Sequence, residues 1–175
     1  IAAATLAGAS VYLCRTGYTG EDGFEVLVDA DFAAATFEAI LAEGQSDGLT
    51  ACGLACRDTL RLEAGMPLYG HELSADITPY EAGLGKVVRL TGRGFIGEAA
   101  LERLAEHPRR QLVGLKGEGK RAARAEYEVL DAASGEKLGL ITSGALSPTL
   151  GYPVAMALIE AGKKQVGDAV IVDVR

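Results

Sequence analysis

The chain has 175 residues, 49% of them hydrophobic, a formal net charge of −7 and a pI near 4.9. That length buries enough surface for one domain or two small ones, and a mean hydropathy of +0.17 describes a soluble globular protein. The acidic balance excludes nucleic acid as the main partner, because neutralising phosphates requires a basic footprint, and no run reaches the apolar length of a membrane span.

The opening IAAATLAGAS is small and apolar but has neither Met nor a basic leading region, so it reads as entry into the middle of a longer chain rather than as a signal peptide. Next comes RTGYTGEDGFEVLV, residues 15–28, where Gly17, Gly20 and Gly23 recur every third residue and supply left-handed turn conformations. Flanked by apolar runs at 11–14 and 24–28, it predicts a hairpin turning through Asp22-Gly23, with Glu25 just past the turn. A phosphate cradle is disfavoured, since Glu21, Asp22 and Glu25 crowd the loop and a strand follows instead of a helix N-terminus. An ionised glutamate beside a rigid turn suits a ligand edge that presents two N–H donors. Glu21 and Asp22 are expected in solvent. For Glu25, burial against a partner and exposure fit the pattern equally well.

Asp31 is expected to cap a helix carrying Phe32, Ala35, Phe37, Ile40 and Leu41 and ending at Gly44. Strand, strand, helix begins an α+β fold. Residues 44–53 read as loop, and a second helix is expected over 54–64. On it Arg57 and Arg61 lie one turn apart, and like charges at that spacing repel by about 0.3 kcal/mol. Asp58 pairs with Arg61 at i,i+3, which leaves Arg57 to a carboxylate such as Glu25 or Glu63, or to a ligand.

The cysteines Cys14, Cys52 and Cys56 are an odd and sparse set, which fits reduced intracellular thiols better than a disulfide framework. Cys52 and Cys56 would share a helix face. With no second pair, and with His71 and His107 as the two histidines, zinc is disfavoured and buried small apolar side chains are expected.

From Met66 prolines and glycines exclude a long helix. Residues 86–90 read as a short strand and 95–106 as an amphipathic helix stopped by Pro108. A boundary follows near 107–110, giving domains 1–107 and 108–175. Beyond it strand-like runs at 111–116, 127–130, 137–142, 154–159 and 169–174 predict a small β-barrel or sandwich. Ser143 and Ser147 have no histidine near enough in sequence to suggest a nucleophile and read as turn-formers. The basic residues Arg109, Arg110, Lys116, Lys120, Arg121 and Arg124 face only Glu118 in that stretch and read as solvated surface, with an acidic partner or polyglutamyl tail as the alternative.

GYTGEDGFE, then GLACRDTLRLEAGMPLYG, then ITSGALSPTL, in that order, resemble the T protein of the glycine cleavage system, the aminomethyltransferase family. The resemblance runs over nearly the whole chain. It implies the C-terminal half of a longer enzyme: the second part of a folate-binding α/β region, then a small C-terminal β-barrel truncated at its end. It implies transfer of an aminomethyl carbon from the lipoyl arm of H protein to tetrahydrofolate, with ammonia released and no metal required. The family's glutamate that holds the pterin falls on Glu25, the arginine of its ARD motif on Arg57, and its motif tyrosine on Tyr18. The principal catalytic aspartate lies upstream of the matching region, so no catalytic residue is expected in this chain. The implied setting is cytoplasmic in a bacterium, which is preferred, or the mitochondrial matrix in a eukaryote. A folate-binding relative without transferase activity, and the terminal region of a flavin-dependent sarcosine or dimethylglycine dehydrogenase, share these motifs and stand as alternatives.

Overall fold

Small side chains open the structure. Strand β1, Ala2–Leu6, turns back through Ala7 and Gly8, at φ 48° and 79°, into β2, Ala9–Cys14, with Leu6 opposite Ala9. Successive left-handed residues give the turn that matches the twist of paired strands. β1 leaves little trace in the sequence, because an alanine run carries weak strand preference. β3, Glu25–Val28, pairs antiparallel with β2, placing Cys14 opposite Glu25 and Val11 opposite Val28. The sheet order is β1-β2-β3. One face carries the buried Ala9 and Val11, and the other the exposed Tyr12 and Leu27.

A 3-10 turn, Ala30–Phe32, leads into helix α1, Ala33–Gly44. Asp29 caps the 3-10 turn, accepting from the Asp31 N–H at 3.1 Å, while α1 itself starts after Phe32 with no side-chain cap, so Asp31 does not cap the helix as expected. Helix α2, Leu54–Glu63, follows an extended Gly53. The predicted Asp58–Arg61 pair is present: Arg61, 2% exposed, places Nε 2.8 Å and Nη2 2.7 Å from Asp58 Oδ1.

This computed structural model describes residues 1–173 and divides into two compact units, Ile1–Ala64 and a second that begins at Gly65. In the second unit, 65–84 is irregular, as the prolines and glycines predict. Residues 86–90 form no strand; Gly85–Val87 is a 3-10 turn, and no neighbouring strand pairs with this segment among the described residues. Helix α3, Glu98–Glu106, starts later than expected because Gly97 stands at φ 91°, and the Glu98 carboxylate accepts the Arg93 and Gly94 N–H groups at 3.2 and 2.7 Å.

All five strand-like runs of the C-terminal part are strands: β4 Arg110–Lys116, β5 Glu128–Asp131, β6 Lys137–Leu146, β7 Pro153–Glu160 and β8 Val170–Asp173. The end of the expected last run, Val174, lies outside the described residues. The sheet order is β4-β7-β6-β5-β8 with antiparallel neighbours. Its outer strands β4 and β8 line one cleft of about 550 Å³, so the sheet is curled until its two edges approach. Val129, Leu138, Ile141, Ala155, Ala157 and Ile159 form the core. Each large aliphatic buried there contributes roughly 1.5–3 kcal/mol. Gly144 admits no side chain, since a Cβ there would stand 2.4 Å from the Ala123 carbonyl oxygen.

Ser143 is not a turn-former: it lies within β6 beside a bulge. Ser147 is one, its Oγ accepting the Leu150 N–H at 2.9 Å. Side chains and backbone tie the segment before β4 to the strands: the Leu112 N–H on β4 donates to the Glu81 carbonyl at 2.8 Å, and Arg110 Nη2 to the Asp76 carbonyl at 2.7 Å. His71 Nδ1 donates to the Thr142 carbonyl at 2.9 Å, and Arg110 on β4 reaches Glu81, Nε to Oε1 at 3.0 Å. Glu81, 1% exposed, also accepts from the Thr78 N–H and hydroxyl at 2.9 and 3.1 Å. Burial raises its pKa, but the Arg110 and Thr78 hydrogen bonds outweigh that and hold the carboxyl below its usual range.

Candidate functional site

The candidate site lies in the first unit, where the connection 15–24 between β2 and β3 meets α2. The loop is wider than a two-residue hairpin, and Asp22-Gly23 is not its pivot. Of its three glycines Gly20 alone takes the left-handed conformation, at φ 81°. A Cβ on Gly20 would stand 2.7 Å from the Ala64 Cβ, so the residue is demanded twice, by backbone conformation and by close approach to the residue that ends α2. Glycine spacing alone cannot tell which of three equivalent candidates meets a neighbour distant in sequence.

Two turns nearer the N-terminus of α2, the Arg57 guanidinium lies over the Tyr18 ring, 4.6 Å from its centroid. A guanidinium on an aromatic face gains roughly 0.5–1 kcal/mol at an exposed site. Arg57 makes no ion pair among the described residues, so neither Glu25 nor Glu63 neutralises it. Its charge is oriented by the ring and remains available to an anion or a carbonyl. The repulsion expected between Arg57 and Arg61 is relieved by division of labour, with Arg61 buried on Asp58 and Arg57 exposed on Tyr18.

Glu25 opens β3 on the sheet face that carries Tyr12 and Leu27, and it is exposed. Its Oε2 accepts a hydrogen bond from the Thr16 hydroxyl, two residues before Tyr18. One carboxylate oxygen is thereby fixed against the loop, and Oε1 retains its lone pairs. No hydrogen bond or ion pair joins Glu25 to Arg57 among the described residues. The structure therefore brings Tyr18 and Arg57 together directly, and holds Glu25 to the same loop through Thr16. Sequence reasoning misses Thr16. Its signal is the threonine of RTGYTG, which becomes meaningful only once Cys14 is known to pair with Glu25.

Elsewhere on the loop, Arg15 and Asp22 form an exposed ion pair at 3.4 Å, consistent with the solvated setting expected for Asp22. Cys52 is exposed and precedes α2 instead of sharing its face, while Cys14 and Cys56 are half-buried, so buried apolar packing does not describe the 52/56 pair. The described residues contain no group of three or more His, Cys, Asp or Glu arranged to hold a metal ion. None of their helices is long and apolar enough to cross a membrane.

These elements define an α+β protein in which a three-stranded sheet with two helices is followed by a curled antiparallel sheet. Comparison with known proteins makes the assignment specific. Residues 1–92 match the family model described as the GCVT N-terminal domain, and residues 110–175 match the glycine cleavage T-protein C-terminal barrel domain. The chain belongs to the glycine cleavage T-protein family. It is 54% identical to an aminomethyltransferase of Saccharopolyspora erythraea over 97% of this chain and 47% of that protein. It is 52% identical to one of Streptomyces coelicolor over 98% of this chain and 47% of that protein. The crystal structure of glycine cleavage system aminomethyltransferase T from Bartonella henselae superposes with a TM-score of 0.86 at 37% identity, covering 94% of this chain and 46% of that one. The chain thus spans about half the length of the curated relatives it matches.

Proposed function

We propose that the full-length protein is an aminomethyltransferase of the glycine cleavage system, moving an aminomethyl carbon from the lipoyl arm of H protein to tetrahydrofolate with release of ammonia. The observation that carries this reading is the match along nearly the whole chain to relatives named aminomethyltransferase, with Tyr18, Glu25 and Arg57 standing on one loop and the helix it meets. In this reading the free oxygen of Glu25 accepts from the amino-bearing edge of the pterin, and Arg57 supplies positive charge oriented by Tyr18. A hydrogen bond to an ionised carboxylate oxygen is roughly twice as strong as one between neutral groups. The chemistry asks mainly for positioning: a folate nitrogen must stand against the carbon it attacks while the carbon–sulfur bond to lipoyl breaks and ammonia leaves. Orientation of that kind supplies roughly 7 kcal/mol or more of barrier reduction.

The family's catalytic aspartate is assigned to the part of the protein preceding this sequence, so the isolated chain is a scaffold for the folate site and carries no transfer activity by itself. The functional division is placed at 107/108, supported by the gap that the two family models leave between residues 92 and 110. The protein works in the cytoplasm, with the lipoylated carrier as its macromolecular partner.

The test is single-turnover transfer with aminomethyl-loaded H protein and tetrahydrofolate, following methylene-tetrahydrofolate and ammonia together. Equal yields of the two are expected from the full-length protein and neither from residues 1–175 alone. Folate binding without either product would favour a non-catalytic folate-binding relative. Flavin-coupled oxidation of sarcosine or dimethylglycine would place the chain in the dehydrogenase group.

A further inference from the structure

Cys14 and Glu25 form the final pair of the β2–β3 ladder, and just beyond it one side-chain hydrogen bond closes the connection. Nine positions separate Thr16 from Glu25 along the chain. An ionised carboxylate has no proton to give, so the Thr16 hydroxyl donates and Glu25 Oε2 accepts. Both residues are exposed, and the Glu25 carboxylate has no other hydrogen bond or ion pair among the described residues. Glutamate is a long side chain rich in rotamers, and an exposed one distributes over many of them. Threonine, branched at Cβ, is stiff at χ1. The bond therefore lends the stiffness of a short side chain to the end of a long one. A second fastening across the same loop is of a different kind: Arg15 and Asp22 meet at 3.4 Å with side chains 73% and 93% exposed, and an ion pair so open to water holds little.

We propose that Thr16 is a positioning residue for Glu25: its hydroxyl fixes the carboxylate in the rotamer that receives the N–H edge of tetrahydrofolate, and it acts through Glu25 alone. The inference deepens the folate reading and rests on it. With Oε2 engaged, Oε1 is left with its lone pairs turned to a ligand. The cost of ordering the glutamate is met when the chain folds, whereas an unrestrained carboxylate would surrender its freedom at the moment of binding. The bond also closes the segment that carries Tyr18, so the carboxylate and the ring beneath the Arg57 guanidinium are fastened to one short stretch of chain. The role belongs to the hydroxyl. Without a carboxylate at position 25, Thr16 has nothing to hold.

The test is a double-mutant cycle on the full-length protein, read by calorimetric titration with tetrahydrofolate. Thr16→Val keeps the shape and removes the donor, and is expected to weaken affinity roughly two- to tenfold, the range set by freeing one rotamer-rich side chain. Thr16→Ser keeps the donor and should retain most of the affinity. In a Glu25→Ala background Thr16→Val should add no further loss, because the pair is coupled and its other member is gone. In turnover Thr16→Val should raise KM for tetrahydrofolate and leave kcat in place, whereas a smaller folded fraction would lower kcat and leave KM. Asp22→Asn, which opens the neighbouring surface ion pair, should change neither. Where Glu25→Ala weakens binding, the folate site stands, and the proposal is overturned by unchanged affinity in Thr16→Val, by equal losses in Thr16→Val and Thr16→Ser or in Thr16→Val and Asp22→Asn, or by a full additional loss in the Glu25→Ala background. Unchanged affinity in Glu25→Ala would instead remove the folate reading from Glu25, and the role of Thr16 with it.

Discussion

Gly20 does what no other residue in its loop does. It holds a left-handed φ of 81° and leaves no room for a methyl group against Ala64. Gly20→Ala combines backbone strain with a contact that must open, and is expected to cost about 1–3 kcal/mol in chemical denaturation of the chain. It should also move Tyr18 off the Arg57 guanidinium. Gly17 has no left-handed φ, and a methyl group there would meet the Glu21 carbonyl oxygen at an ordinary 3.8 Å, so Gly17→Ala is expected to change stability far less. Equal losses from the two substitutions would show that the contact with Ala64 is not what the loop requires. At this scale the residue types are legible in the sequence and their partners only in part. Asp58–Arg61 can be read because both ends lie on one helix. Tyr18–Arg57 and Thr16–Glu25 cannot, because each joins chain segments whose meeting is decided by the fold.

Elements are legible where hydrophobic pattern and pairing agree. The five C-terminal strands alternate or run apolar between turn residues and each finds a neighbour. Residues 86–90 carry the same pattern but have no strand beside them among the described residues, and an apolar run without a ladder partner does not become a strand. The expected Asp31 cap of the first helix is not formed, because a 3-10 turn precedes the helix and it is that turn which a side chain caps, from Asp29. Two joints between elements carry titratable groups. Glu81 on the segment before β4 is held below its usual range by Arg110 and Thr78 against the opposing effect of burial. Asp131, at the end of β5, pairs with Lys164 and accepts the Ser134 and Ala133 N–H groups at 2.8 Å, which lower its pKa far below the carboxylate range. A carboxyl with a depressed folded pKa adds stability above its unfolded pKa and loses it as pH falls through the folded value. The melting temperature should therefore hold from neutrality to about pH 5 and decline below about pH 4, where unfolded carboxyls begin to take up protons. Asp131→Asn should lower the plateau and flatten the acid decline. A variant that keeps the full acid sensitivity would remove Asp131 from this role.

At the scale of the whole molecule, the family is fixed by motifs distributed from one end of the chain to the other, which is why it is legible without coordinates. The distribution of the chain into compact units is less so. Pro108 marks a break in pattern, yet Arg110–Glu81 and His71–Thr142 join what precedes it to the strands that follow, and such long-range contacts leave no local trace. Glu25 is exposed, with one oxygen engaged by Thr16, and Arg57 is charged, oriented and without an acidic partner among the described residues. Both groups are thus poised for an external ligand, and neither is consumed by the fold. The most direct measurement is calorimetric titration of the full-length protein and its Glu25→Ala and Arg57→Ala variants with tetrahydrofolate. Removal of either charged hydrogen-bonding group should cost about 1.5–3 kcal/mol, weakening affinity by roughly ten- to a hundredfold while the melting temperature stays near that of the unsubstituted protein. Unchanged affinity in both variants would contradict the placement of the pterin on this loop.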